Sequence, residues 1–156
     1  MKAHQTTIGK TDEWLTPPYI IEALGEFDLD PCDAINNPFR TAETTWVVFG
    51  HILRWEGRVW LNPPFNRYER PIWMKKMSEH NNGIMMIPAA TETTAFFKYV
   101  FNKATAICFM KGRPHYYLID GTKAKFNSGC AMCLIAYGEE NYKALLNSNL
   151  GHTVKL

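Results

Sequence analysis

Asn62, Pro63, Pro64 and Phe65 form the segment whose residue types most clearly support chemistry. Two successive prolines hold the backbone extended and leave carbonyl groups without local partners. The side-chain oxygen of Asn62 and the carbonyl oxygen of Pro63 can therefore accept hydrogen bonds from an amine. An exocyclic amine on a nucleobase is a poor nucleophile, because its lone pair is conjugated with the ring, and such acceptors draw the lone pair out. Phe65 supplies a flat apolar face on which the base can stack.

The same four residues could instead end a strand with a simple turn, because Asn and Pro are common there. A second segment, Asp28-Leu29-Asp30-Pro31-Cys32, favours a functional site. It also ends a predicted strand, and its acidic groups lie at the strand tip, as expected where a cofactor binds. Open α/β sheets place their ligands at the carboxyl ends of their strands. Two strand ends with matched chemistry therefore indicate one site.

The elements that would position these segments alternate between strand and helix. Apolar runs closed by Gly, Pro or Asp predict buried strands at 27–30, 58–61, 83–87 and 106–110. Helices are predicted from apolar spacing and from Pro or Thr at their starts. They cover 17–24, with Thr16 as the cap, 71–78, 96–101, with Thr93 or Thr94 as the cap, and 139–147. The four strands are expected to be adjacent and parallel.

The last third of the sequence departs from this alternation. Segments 115–119 and 130–137 flank a loop that contains Gly and Lys, which predicts a long antiparallel hairpin on the same sheet. The polar stretch 33–45 is predicted to be irregular. Together the elements predict a single α/β domain over residues 1–156. It is expected to be a sandwich whose sheet is mostly parallel and ends in an antiparallel hairpin.

The composition is that of a soluble globular protein, with 46% hydrophobic and 21% charged residues among 156. A net charge of +2 neither requires nor excludes a polyanionic partner, so any nucleic-acid surface must be local. No apolar run approaches the length of a membrane span, and the polar start lacks the apolar core of a secretory signal. A cytoplasmic location without membrane association is therefore expected.

The four cysteines, Cys32, Cys108, Cys130 and Cys133, each lie in or beside a predicted buried strand. Cys130 and Cys133 have a spacing that also occurs in zinc sites. Residues three apart on a strand point to opposite faces, however, and no tight turn separates these two. Structural cysteines are therefore expected, and no metal.

Four segments carry a resemblance to a known family, in their residues and in their order. They are 12–18 (DEWLTPP), 28–32 (DLDPC), 57–65 (GRVWLNPPF) and 112–117 (GRPHYY). These segments resemble the phage-type Dam DNA N-6-adenine methyltransferases, within the Rossmann-like S-adenosylmethionine-dependent amino-methyltransferases. The resemblance implies a Rossmann-like methyltransferase sandwich, S-adenosylmethionine as cofactor, and the 6-amino group of adenine in DNA as the methyl acceptor. It also implies that Asn62, Pro63, Pro64 and Phe65 are the catalytic motif.

The resemblance assigns the cofactor to the tip of the first strand and to an upstream segment that closes over it. The predicted cofactor-binding residues are Trp14, Thr16, Pro17, Asp30, Pro31, Cys32 and Asn36. Many methyltransferases follow this strand with glycines, but 32–37 contains none, so the side chains of Asp30 and Asn36 are expected to do more of the binding. Thr16 is expected near the methionine carboxylate, because its hydroxyl and a helix N-terminus both favour anions. Trp14 or Trp46 is a candidate to stack on the cofactor adenine.

Basic residues after the catalytic motif and around the predicted hairpin are candidates for contacts with DNA phosphates and base edges. They are Arg67, Arg70, Arg113, His115, Lys123 and Lys125. Tyr116, Tyr117 and Phe126 are interleaved with the hairpin residues. The alternative is a solvated basic loop over a core hairpin.

Two other functions fit the same residues. The motif would act equally well on the 4-amino group of cytosine or on a glutamine amide in a protein. The other alternative is a DNA-binding module that keeps the fold but has lost turnover. The absence of glycine in the cofactor loop 32–37 favours this alternative. Calorimetry with S-adenosylmethionine separates that module from an enzyme, because a collapsed cofactor pocket gives no binding heat.

Overall fold

A seven-stranded mixed sheet is the centre of the computed structural model, which describes residues 13–156. Its strands are β1 (Leu29–Asp30), β2 (Thr44–Thr45), β3 (Val59–Leu61), β4 (Gly83–Pro88), β5 (Ala106–Met110), β6 (Met132–Tyr137) and β7 (Gly151–Lys155). Across the sheet the order is β2-β1-β3-β4-β6-β5-β7. The first four strands in that order are parallel, β6 is antiparallel to β4 and β5, and β7 is antiparallel to β5. The protein therefore has the predicted α/β class.

Burial on both faces explains why the central strands are apolar along their length. Every residue of β3 and β6 is buried, and only the last residue of β4 is partly exposed. Alternate side chains of a strand point to opposite faces, so each face of the sheet has its own apolar cluster. One cluster contains Leu61, Met85 and Ile135, and the other contains Trp60 and Leu134.

Helices cover both faces of the sheet. They are α1 (Pro18–Leu24), α2 (Arg70–His80), α3 (Thr94–Phe96), which a π-helix (Phe97–Phe101) continues, and α4 (Glu139–Asn147). Helices α1 and α4 pack on the face of Trp60, whereas α2 and the π-helix pack on the face of Leu61. Thr93 caps α3 as predicted, because its hydroxyl oxygen accepts from the amide of Phe96 at 3.3 Å. The result is a sandwich of helices around one sheet.

The elements predicted upstream of residue 111 are confirmed to within two residues at their ends, and α4 is confirmed as predicted. The cap predicted for α1 is wrong. A residue that precedes proline is pushed out of the helical conformation, so Pro17 is extended, with ψ 129°, and takes the N-cap position itself. Thr16 has another contact, since its hydroxyl oxygen accepts from the indole nitrogen of Trp60 at 3.2 Å.

The predicted antiparallel hairpin is wrong. Tyr117 makes only isolated bridges, to Leu15 and Lys123, and the described structure places no strand of the sheet at 115–119. The expected partner, β6, lies between β4 and β5 and pairs with both. Because β6 is apolar throughout, it fills a central place that 115–119, with its His and Tyr residues, would fill poorly. Strands β4 and β5 run in the same direction but are therefore not adjacent.

Two strands have no counterpart in the prediction. β2 lies at the end of the stretch 33–45, which was expected to be irregular, and β7 follows α4 near the end of the sequence. Both are edge strands, and most of their residues are exposed. An exposed edge strand lacks the apolar pattern by which a buried strand is predicted.

Candidate active site

The two segments with matched chemistry lie side by side at one edge of the sheet. Strands β1 and β3 are parallel neighbours, with Leu29 opposite Val59. Asp30 is the last residue of β1, and Asn62 directly follows β3. Because the carboxyl ends of parallel strands meet at the same edge, the structure brings Asp30 and Asn62 to one place, as the sequence predicts.

Asn62 is held by the segment that precedes α1. Its side-chain nitrogen donates to the backbone carbonyl of Trp14 at 3.1 Å. This contact fixes the amide orientation, because only the nitrogen can donate to a carbonyl. The side-chain oxygen is buried and has no hydrogen-bond partner in the described part of the chain. Asn62 therefore presents a free, oriented acceptor.

Aromatic rings pack on the Asn-Pro-Pro-Phe motif that contains Asn62. The ring of Tyr116 lies edge-on to the ring of Phe65, with centroids 5.7 Å apart, and 6.4 Å from the ring of Trp14. Tyr116 is buried, and its hydroxyl also has no partner among the described residues. The sequence groups Tyr116 with the DNA-contacting loop and does not reveal that its ring packs against the Asn-Pro-Pro-Phe motif.

Asp30 is buried at the tip of β1. One carboxylate oxygen accepts from the hydroxyl of Thr41 at 2.6 Å, and the other accepts from the amide of Cys32 at 3.0 Å. Burial raises the pKa of Asp30 to about 7, and the nearby Asp33 adds to the rise, whereas the two hydrogen bonds oppose it. Thr41 has no counterpart among the predicted site residues, since nothing in its local sequence marks it.

A cavity of about 520 Å³ opens between the ends of these strands. Its walls come from Pro31 and Cys32 after β1, residues 47–51 after β2, Pro64 after β3, and Ile72 and Trp73 of α2. Glu69 adds a carboxylate at the rim, where it is exposed. Among the predicted cofactor residues, Pro31 and Cys32 line the cavity and Asp30 lies beside them. Trp14, Thr16, Pro17 and Asn36 do not belong to its walls.

The backbone of segment 47–51 packs closely against the tip of β1. A Cβ atom on Gly50 would lie 1.7 Å from the carbonyl oxygen of Pro31, so only glycine fits there. The indole of Trp55 fixes the turn by donating to the Gly50 carbonyl at 2.7 Å. The preceding Phe49 is exposed and has φ +60°, an uncommon conformation for a bulky residue that is often found at ligand sites.

The thiol of Cys32 lies in the cavity wall under three negative neighbours. Burial is the largest cause that raises its pKa to about 12, and Asp30, Glu69 and Asp33 raise it further. The group is therefore a neutral thiol at physiological pH.

Comparison with known proteins identifies the family of the chain. Residues 3–152 match the family described as DNA N-6-adenine-methyltransferase (Dam). The chain belongs to this family. A DNA N-6-adenine-methyltransferase of Escherichia phage T1 is 33% identical over an alignment of 124 residues, which covers 70% of this chain and 49% of that protein. The chain thus spans about half the length of this relative. No solved structure matches it.

Among the basic residues proposed for DNA contact, two are tied to the site of this Dam-family chain. Arg70 begins α2, and its guanidinium donates to the carbonyl of Phe65 at 3.3 Å. Arg67 is exposed beside it and stacks on the ring of Tyr68 at 4.7 Å. Both therefore lie next to the Asn-Pro-Pro-Phe motif.

The other four basic residues lie on the connection between β5 and β6. The Arg113 guanidinium donates to the carbonyl of Gly129 at 3.3 Å, and a ring nitrogen of His115 lies 3.1 Å from the carbonyl of Ala124. Lys123 and Lys125 are exposed. This connection also carries Tyr116, whose ring contacts Phe65. The four basic residues are therefore linked through the chain to the Asn-Pro-Pro-Phe motif.

The cysteines of this Dam-family chain are all free thiols, with Cys108 and Cys133 buried in the sheet. Over residues 13–156, no three of the His, Cys, Asp and Glu side chains come together as metal ligands. In the same range, none of the helices has the length and apolar character that crossing a membrane requires.

Proposed function

We propose that this chain transfers a methyl group from S-adenosylmethionine to the 6-amino group of adenine in DNA. The observation that carries the proposal is the Asn62 side chain. Its nitrogen is fixed by the Trp14 carbonyl, and its buried oxygen has no partner among the described residues. A preorganised acceptor of this kind suits an amine that must become a nucleophile. Membership of the Dam family and the printed name of the phage T1 relative favour adenine in DNA as the substrate.

In the proposed reaction the adenine amine donates one hydrogen bond to the Asn62 oxygen and one to the Pro63 carbonyl. These acceptors localise the lone pair on N6 and stabilise the positive charge that develops as N6 takes the methyl group. Because the charge grows toward the transition state, the stabilisation is larger there than in the ground state. The charged amine then loses a proton to solvent, so the chain needs no general base before attack. Phe65 stacks on the base.

The cavity between the strand ends is the proposed cofactor site. When bound, S-adenosylmethionine would supply an electrophilic methyl group, and its sulfur would keep the electron pair of the broken S–C bond and leave as a neutral thioether. The cavity volume of about 520 Å³ falls in the range of small-molecule sites, which is roughly 300–1,000 Å³. Val47 and Phe49 offer apolar faces for an adenine ring, and the Glu69 carboxylate can accept from hydroxyl or ammonium groups. Pro31 and Cys32 would lie along the cofactor.

Further parts of the proposal rest on the family resemblance. Cofactor contacts are proposed on this basis for Trp14, Thr16, Pro17 and Asn36, which do not line the cavity. The same basis supports a Rossmann-like methyltransferase type for the sheet. It also supports action in the cytoplasm of a bacterial or phage-infected cell.

DNA is proposed to bind across the rim of the site. Arg67 and Arg70 lie beside the motif, where they would hold the phosphates that flank an extruded base. Arg113, His115, Lys123 and Lys125 would contact the duplex from the connection between β5 and β6. These four residues are close to Tyr116 in the sequence, and Tyr116 contacts Phe65 of the motif. This proximity favours one continuous DNA-binding surface.

The test is methyl transfer with product analysis. The purified chain is incubated with methyl-labelled S-adenosylmethionine and DNA of mixed sequence, and the nucleosides are separated. Labelled N6-methyladenine is the expected product. Labelled N4-methylcytosine would show the right chemistry on the wrong base. An absence of methylated base and of cofactor heat in calorimetry, with DNA still bound, would contradict the proposal and favour the inactive DNA-binding module.

A further inference from the structure

Two buried side-chain polar atoms lack a hydrogen-bond partner in residues 13–156: the Asn62 oxygen and the Tyr116 hydroxyl. Buried polar groups are nearly always paired, so each exception needs an explanation. The proposed function explains the Asn62 oxygen. It does not explain the Tyr116 hydroxyl, which destabilises the fold as long as it has no partner.

Both side chains belong to one group of contacts. The Tyr116 ring packs edge-on against Phe65, with centroids 5.7 Å apart, and tilted against Trp14, with centroids 6.4 Å apart. The carbonyl of Trp14 holds the nitrogen of Asn62 at 3.1 Å. The two side chains that carry unpaired atoms therefore meet at the same motif, so one ligand bound at the motif is the simplest partner for both.

The two atoms differ in hydrogen-bonding character. The Asn62 oxygen can only accept. The Tyr116 hydroxyl can donate, and burial raises the pKa of Tyr116 well above its usual range, so it keeps its proton at physiological pH. An edge of adenine offers the matching pair, because the amine donates and the neighbouring ring nitrogen accepts. Guanine and thymine present a carbonyl oxygen in place of the amine, which the Asn62 oxygen would repel.

We propose that the Tyr116 hydroxyl donates a hydrogen bond to the ring nitrogen beside the target amine, N1 or N7 of adenine. Tyr116 is then a specificity residue that touches the substrate. It selects a base in which an accepting ring nitrogen lies beside the amine, as in adenine and cytosine, while Asn62 polarises the amine. This inference rests on the proposed function and adds a residue to it.

The experiment compares the parental chain with Tyr116→Phe on three duplexes. Each has adenine, 1-deazaadenine or 7-deazaadenine at a methylated position that has first been mapped by modification-sensitive sequencing. The parental chain should prefer adenine to the analogue that lacks the accepting nitrogen, by roughly tenfold or more in kcat/KM. Tyr116→Phe should lose this part of the preference. For each analogue, the rates of both chains on adenine and on that analogue form a cycle of four values. Comparing these four values removes the effect of the analogue on the amine itself.

Tyr137→Phe is the matched control. It also removes a buried tyrosine hydroxyl, but that hydroxyl donates to the carbonyl of Tyr99 at 2.6 Å. The control should lower Tm and keep the parental preference among the three bases. Tyr116→Phe should keep or raise Tm, because it removes an unpaired polar group.

Equal preferences in Tyr116→Phe and the parental chain, against both analogues, would overturn the inference. The proposed function would then still stand, because the parental chain forms N6-methyladenine. A parental chain that methylates no DNA would instead defeat the proposed function, and the inference with it.

Discussion

Two regions of the molecule treat buried polar groups in opposite ways. Around β6 and α4 the groups are paired: the buried side chain of Asn141 accepts from Arg58 at 2.7 Å and donates to Asn82 at 3.1 Å and to the Tyr137 carbonyl at 2.8 Å. At the carboxyl ends of β1 and β3, the Asn62 oxygen is buried and unpaired, and Asp30, although both of its oxygens accept hydrogen bonds, has a pKa that burial raises.

We interpret this difference in hydrogen bonding as a division between residues that stabilise the fold and residues that act in the proposed site. A paired buried group stabilises the native state, whereas an unpaired or charged one opposes folding. Such groups persist where a ligand supplies the missing partner. Substitutions in the two regions should therefore affect stability and activity in opposite proportions.

The largest effect is expected from Asn62→Ala. Removing one preorganised acceptor should raise the barrier by about 3 kcal/mol, a loss of roughly a hundredfold or more in kcat. Cofactor affinity and Tm should change little. Asn66→Ala is the control, because the Asn66 oxygen accepts from the amides of Tyr68 and Glu69 and so has a turn-forming role. Parental kcat in Asn62→Ala would show that the motif is only a turn.

Asn141→Ala should show the opposite pattern. Three hydrogen bonds are lost, one of them from a guanidinium, so the free energy of unfolding should fall by about 2–3 kcal/mol while kcat stays at the parental value. Denaturant unfolding measures the first and methyl transfer the second. Asn147→Ala, an exposed change on the same helix, provides the baseline. A stable Asn141→Ala chain with impaired kcat would break the proposed division between the regions.

Gly50→Ala tests the cavity. The new Cβ would meet the Pro31 carbonyl, so the segment 47–51 must shift away from the β1 tip. S-adenosylmethionine affinity, measured by calorimetry, should fall by about tenfold or more, since misplaced walls weaken every contact. Gly129→Ala is the control, because its Cβ would meet nothing within 4 Å and only its φ of +73° is strained. Similar affinities in both variants would place the cofactor elsewhere.

The last effect concerns pH and Asp30. Its folded pKa, about 7, lies above the unfolded value of 3.8, so the folded state holds the proton more tightly. The stability that this proton gives is complete below about pH 4 and is lost as pH rises toward 7, by at most about 1.4 kcal/mol per unit. Relative to Asp30→Asn, the parental chain should therefore weaken across that interval and level off above it. Parallel stability curves for the two chains would exclude a buried, titrating Asp30.

The sequence predicts the two strand ends well, because the local pattern determines where each strand stops. The run before Pro63 can only be a strand that stops at the prolines, and Asp30 ends a strand in the same way, so their meeting at one edge follows from parallel pairing. Tyr116 and Thr41 escape prediction, because their roles come from contacts with residues far away in the sequence. The position of β6 escapes it for the same reason, since an apolar strand does not encode which neighbours it pairs with.

The absence of glycine after β1 is a second case in which local sequence does not predict a long-range contact. A local pattern predicts that the backbone cannot approach a cofactor closely there. The structure brings Gly50 against Pro31 from a segment that follows a different strand. Tertiary contact thus brings a glycine to the tip of β1, although residues 32–37 contain none.

The protonation of Cys32 has a consequence for chemical selectivity. A cavity that receives an activated methyl donor exposes every nucleophile in its wall to alkylation, and a thiolate is the most reactive of them. Burial and the surrounding carboxylates raise the pKa of Cys32 to about 12, so the sulfur stays in its weakly nucleophilic form. In the proposed reaction the Cys32 sulfur would therefore compete weakly for the methyl group, which would go to the amine that Asn62 is proposed to activate.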